Sequence, residues 1–111
     1  MRILLPLIAT FIANFQGLRA DVTIPAEIIY STTCIVCHGP NGKGVVPGVR
    51  DLTEKNSRLL QPDQVLVQNV ISGIRNPDNP LQMPPRGGNL ALSESDIRNV
   101  LTYMRKMFLP R

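Results

Sequence analysis

The sequence predicts an all-α domain of short helices joined by long loops. Three segments repeat their apolar residues at helical intervals, and two stretches are too rich in proline and glycine for any regular element. No alternating strand pattern, internal repeat or low-complexity tract appears among them. A chain of 111 residues has room for one such domain.

The first helix is expected in PAEIIYSTTCIVCH. Pro25 suits a first helical turn, and Ile28, Ile29, Ile35 and Val36 follow at broadly helical spacing, with the end near His38. The next ten residues, GPNGKGVVPG, hold four glycines and two prolines, so a tight irregular loop should wrap something close to its backbone. Pro62 begins the second helix, QPDQVLVQNVISGI, in which Leu66, Val67, Val70, Ile71 and Ile74 keep a helical spacing and Gly73 lies near the end. Its β-branched residues would also suit a strand. NPDNPLQMPPRGGN, with Pro77, Pro80, Pro84, Pro85, Gly87 and Gly88, is expected to be loop throughout. The last helix is the clearest: Ser93 and Asp96 form an S-x-x-D start signal, Ile97, Val100, Leu101, Met104 and Phe108 share one face, and Pro110 stops it.

Residues 1–20 have the layout of a secretory signal peptide: Arg2 in a basic start, an apolar stretch from Ile3 to Ala13, and Ala20 before the charged Asp21. A retained membrane anchor is the competing reading. The apolar run is well short of the roughly 20 residues that span a bilayer, and Pro6, Asn14 and Gln16 weaken it. The working domain is therefore expected to be 21–111, in the periplasm or otherwise exported. Without Arg2 and Arg19 the twelve basic residues become ten against eight acidic ones, and the formal charge falls from +4 to +2. The basic residues are scattered from Lys43 to Arg111, so the pI of about 9.6 does not point to nucleic acid.

Cys34, Cys37 and His38 form CIVCH, the pattern of covalent c-type haem attachment. Cysteines three apart lie about one helical turn from each other, so both thiols face one side and each can join a haem vinyl group through a thioether. The adjacent histidine then reaches the iron from the proximal face. A redox dithiol would want a βαβ setting, a zinc site would want further ligands, and a disulfide is the remaining use of two cysteines in an oxidising compartment. The chain has only these two cysteines and this one histidine. A domain this small buries only about 60% of the surface of its unfolded chain, and a haem would supply the core it lacks.

Around these residues the chain resembles the class I cytochromes c over most of its length after the export segment. Tyr30 stands four residues before CIVCHG, the Gly-rich loop reaches Pro47, and QMPPRGGN precedes a closing helix that contains VLTYM. The chain is most similar to the short bacterial branch in which the ligand methionine is followed by two prolines, a basic residue and two glycines. Ala26 departs from the glycine common at the crossing of the first and last helices, and a methyl group there should widen the crossing slightly. The extra cysteine pair of some members is absent. The resemblance implies a small class I cytochrome c fold, three to five short helices wrapped around one covalently bound haem c.

For the sixth position on the iron the candidates are Met83, Met104 and Met107, and Met83 is the strongest. It lies in the Pro-rich loop, where Pro84 and Pro85 reduce the entropy lost in holding the loop still. Met104 shares the apolar face of the last helix, and Met107 is expected to pack as well. Pro47 is similar in placement to the family proline whose carbonyl accepts the proton of the histidine Nδ1, which would orient the ring and raise its basicity. Tyr30 and Tyr103 are expected in the core. Lys43, Arg75 and Arg86 read first as solvated charge, and Arg86 and Lys43 as residues that orient an acidic redox partner.

A haem iron held by histidine and methionine is expected to pass single electrons, because the pair favours the ferrous state and leaves no position open for substrate. Its partners would be a redox protein donor and acceptor, with no nucleic acid and no membrane span after cleavage. The domain would serve equally as the electron-accepting subunit of an exported dehydrogenase or oxidase. A catalytic or gas-binding haem protein would instead need an open sixth site and a distal acid or base, and no second histidine exists.

Overall fold

The computed structural model describes residues 23–110. The expected export segment, 1–20, lies outside the described residues. Among those described, the order is α1 (Ala26–Ile29), a π-helical turn (Tyr30–Cys34), α2 (Ile35–His38), a 3-10 turn (Arg58–Leu60), α3 (Asp63–Ser72), a second 3-10 turn (Pro85–Gly88) and α4 (Glu94–Phe108).

The single first helix that the spacing suggests is interrupted. Pro25 precedes α1 in an extended conformation, and its carbonyl accepts from the amides of Ile28 and Ile29 at 2.9 and 3.1 Å. One turn later the amide of Ile35 bonds to Tyr30, five residues back. Ser31 and Thr32 supply the physical reason: their hydroxyls donate to the carbonyl of Ile28 at 3.2 and 2.6 Å and compete with the backbone ladder. Such widened single turns recur at functional sites, and this one runs straight into CIVCH. Gly39, at φ 78°, ends α2.

α4 is built as its sequence indicates. The Ser93 hydroxyl accepts from the Asp96 amide at 3.0 Å, and the Ser93 amide donates to the Asp96 carboxylate at 2.9 Å. Ile97, Val100, Leu101, Met104 and Phe108 are all buried on one face. They meet Ile29 and Tyr30 from the first helical segment, Leu66 and Val67 from α3, and Leu52, Leu59 and Leu92 from the connecting segments. Ile29 and Ile97, at 1% and 0% exposure, are the centre of this core. Ala26, at the helix crossing, is half-buried, and α1 still packs on α4. Met107 does not pack as expected: it is 56% exposed, because it falls at the edge of the α4 face whose centre is buried by Ile97, Leu101, Met104 and Phe108.

Arg105 ties α4 to the segment before α3. Its guanidinium donates to the carbonyls of Leu59 and Gln61 at 2.9 Å each and pairs with the Asp63 carboxylate. α3 stops at Ser72, short of Ile74, because Gly73 takes φ 76°. The Gly-rich loop reaches the far end of α4. At Gly42, φ 74°, an added Cβ would lie 2.6 Å from the Phe108 ring, so only glycine lets the loop approach so closely. Among the described residues no helix is long and apolar enough to cross a membrane.

Two stability measurements follow from these contacts. Ser93→Ala removes the start of α4 and should cost about 1 kcal/mol in denaturant unfolding. Gly42→Ala forces a side chain into the left-handed region, about 1–2 kcal/mol by itself, and displaces Phe108 as well, so its loss should exceed that of Ser93→Ala. A wild-type midpoint for either variant contradicts the packing described.

Candidate functional site

CIVCH sits where three segments converge. Cys34 closes the π-helical turn, and Cys37 and His38 occupy the last turn of α2. The turn is held from both sides. The Tyr30 hydroxyl donates to the Gly39 carbonyl, just past His38, while its ring lies tilted against Tyr103 and Phe108 with centroids 5.9 and 5.3 Å away. From the other side the Gly-rich loop folds over the helix end, and the amides of Gly44 and Val45 donate to the carbonyls of His38 and Cys37 at 2.9 and 3.0 Å. What this loop wraps is therefore the carboxyl end of CIVCH, whose carbonyls would otherwise lack partners.

Met83 arrives from the opposite wall. Its backbone forms an isolated antiparallel bridge with Ile74, amide to carbonyl in both directions at 2.9 and 3.1 Å. The approach depends on Gly73, where an added Cβ would stand 2.6 Å from the Met83 carbonyl. The stretch 76–89, expected to be loop throughout, contains this bridge and the 3-10 turn Pro85–Gly88. Gly87 rests against the Thr33 methyl group, beside Cys34, with an added Cβ only 2.9 Å from it. The Asn79 side chain reaches across to the Gly48 carbonyl at 3.3 Å and links the Met83 segment to the Gly-rich loop.

Between these walls runs a cleft lined by Cys34, His38, Val70, Met83, Arg86, Gly87, Leu92, Val100, Leu101 and Met104. It brings together Cys34, His38 and Met83, three of the four residues expected to hold the haem and its iron. Cys37 is half-buried beside it but not in its lining, and Pro47 stands exposed in the Val46–Val49 turn. The apolar walls from α3 and α4 were visible in the sequence only as helix faces. Arg86 also differs from its first reading as solvated charge: it is half-buried, and its guanidinium donates to the Leu92 carbonyl. Lys43 and Arg75 are exposed.

Burial lowers the His38 pKa, so the imidazole is neutral and able to ligate a metal. Its Nδ1 is buried with no hydrogen-bond partner. Nδ1 is thus a buried position still open to an acceptor, and the turn that carries Pro47, closed by the Val49 amide on the Val46 carbonyl at 3.1 Å, leaves the Pro47 carbonyl out of that bond. Burial, and then the neighbouring Cys37, push the Cys34 thiol up to about 11. A redox dithiol needs the reverse shift. Both thiols are free, not joined in a disulfide. Two thiols one turn apart, a neutral imidazole, a thioether from the facing wall and apolar sides fit an iron porphyrin anchored at one edge.

Known proteins agree with this geometry. The sequence pattern of the family described as Cytochrome c matches residues 26–108. Cytochrome c-555 of Chlorobaculum tepidum is 31% identical over 75 residues, which cover 68% of this chain and 67% of that protein. Among solved structures, the KustC0563 c-type cytochrome superposes with a TM-score of 0.58 at 18% identity, covering 76% of this chain and 98% of its own, and so shares the fold. A chain from an electron transfer complex of nitrite reductase with cytochrome c gives a TM-score of 0.55 at 32% identity, covering 76% of this chain and 95% of its own. The helical fold, the cleft and a family match spanning nearly every described residue lead to one assignment: the chain belongs to the class I cytochrome c family, whose members bind haem c covalently and transfer electrons.

Proposed function

We propose that this protein is an exported monohaem electron carrier, with haem c bound through Cys34 and Cys37 and its iron held by His38 and Met83. The observation that carries the proposal is the cleft, which sets Met83 from one segment opposite Cys34 and His38 of CIVCH between largely apolar walls. Bound haem c would supply a one-electron iron couple. The chain's own residues do the rest. Cys34 and Cys37 fix the group at one edge. His38, neutral by burial, offers a ring nitrogen without first losing a proton. The unpartnered Nδ1 supports an acceptor role for Pro47, since a buried donor without a partner costs about 1–3 kcal/mol.

Met83 is presented by a backbone already hydrogen-bonded to Ile74, so little ordering is needed when its sulfur becomes a ligand. The same bridge argues against an open sixth position and therefore against catalysis at the iron. Val70, Leu92, Val100 and Leu101 keep water from the site and limit the rearrangement that accompanies a change of charge. Export is supported by the signal-peptide layout of residues 1–20. A protein redox partner is supported by the similar chain that comes from a complex with nitrite reductase.

Met83→Ala should abolish the long-wavelength sulfur-to-ferric-iron absorption band and let cyanide bind rapidly at neutral pH. Met104→Leu and Met107→Leu should leave the band in place. Survival of the band in Met83→Ala, or its loss in Met104→Leu, would reject the ligand assignment.

A further inference from the structure

We infer that Arg86 is a positioning residue for Met83: its guanidinium latches the second end of the ligand segment to the start of α4 and so controls how readily Met83 leaves the iron. The inference rests on Met83 being the ligand. It starts from a backbone irregularity. Arg86 is the only described non-glycine residue with a positive φ, at φ 55° and ψ 28°, although two glycines follow it directly. An arginine held in the left-handed region is strained, so its side chain must repay what the backbone loses.

That side chain is half-buried in the wall of the cleft, and it donates a charge-assisted hydrogen bond to the carbonyl of Leu92. Leu92 is itself buried in the core and lies directly before Ser93, the cap of α4. The bond therefore joins the ligand segment to the most firmly packed helix of the domain.

Two hydrogen-bonded ties thus flank Met83 directly, besides the more distant Asn79 contact with Gly48. At its front, Met83 is bridged to Ile74. At its back, Arg86 is latched to Leu92, and between them stand Pro84 and Pro85, which transmit the restraint because their φ angles are fixed. Withdrawal of the Met83 sulfur requires the segment to swing outward, and without the latch the back end is held only by the packing of Gly87 on Thr33. Releasing the latch should raise the population of the open state and leave the helices intact. Arg86 is then part of the ligand's support, while its charge, bonded to a neutral carbonyl, is retained.

Imidazole, which competes with the methionine for ferric iron, is the probe. Titrated into the purified ferric holoprotein, it should bind Arg86→Gln about tenfold more tightly than wild type, the factor expected for loss of one partly exposed hydrogen bond to a charged group. Arg86→Gly relieves the left-handed backbone while removing the latch, and it should show the same gain. In both variants the thioether-bound haem and the far-ultraviolet helix signal should be unchanged. Arg98→Gln, which removes a surface ion pair with Glu94 on the outer face of α4, should bind imidazole as wild type does. Wild-type affinity in both Arg86 variants, or an equal gain in Arg98→Gln, overturns the latch. Met83→Ala separates this from the ligand assignment: if its imidazole affinity equals that of wild type, Met83 is not the displaced group and the assignment itself fails.

Discussion

The packing of Ile29 and Tyr30 against α4 is the constraint on which the rest of the structure depends. The helical segment that carries CIVCH is short and interrupted by a π-helical turn, so it has little stability of its own. Its position is set by what it buries. Ile29 is 1% exposed, and the Tyr30 ring is tilted against Phe108 and Tyr103 on α4. Burial pushes the Tyr30 hydroxyl up to about 12, so it remains a donor to Gly39 throughout the neutral range. One aromatic side chain thus joins the start of the CIVCH segment, its end, and the longest helix.

The two walls of the cleft are built by different physics. On the CIVCH side the chain is fixed by core burial and by loop amides that satisfy the end of α2. On the Met83 side little is buried, and position comes from discrete ties: the bridge to Ile74, the close approach at Gly73, and the Arg86 contact with Leu92. A rigid wall suits the covalent anchor and the histidine. A tied segment suits the ligand role proposed for Met83, which would have to hold iron firmly yet be placed by a loop. The apolar side chains between them belong to the protein core and would also line the proposed haem pocket, so the cofactor would extend the small core of this chain.

Much of this was legible in the sequence wherever the signal is local. CIVCH is contiguous, the Ser93 and Asp96 cap spans one turn, and the face of α4 repeats five times, so each could be read from neighbours in the chain. Gly-rich and Pro-rich composition marked the two loops that close the site. What escaped is non-local or decided by side-chain competition. The π-helical turn arises because two adjacent hydroxyls bond the same carbonyl, an outcome that spacing does not encode. The Ile74 bridge joins residues across a loop, without the alternation of a strand. Arg86 looked like surface charge because nothing in the chain foretells that its guanidinium turns inward to Leu92. The acceptor expected for His38, the Pro47 carbonyl, was carried over from resemblance alone; what the structure adds is that Nδ1 is buried without a partner.

The central claim is a haem anchored by both thiols of CIVCH, and peptide mapping of the protein from an oxidising host tests it most directly. After extraction with acidified organic solvent and cleavage at basic residues, the peptide ending at Lys43 should carry the mass of one haem, with neither Cys34 nor Cys37 open to alkylation. Complete release of haem into the solvent, with both cysteines alkylated in the recovered peptide, would contradict the account.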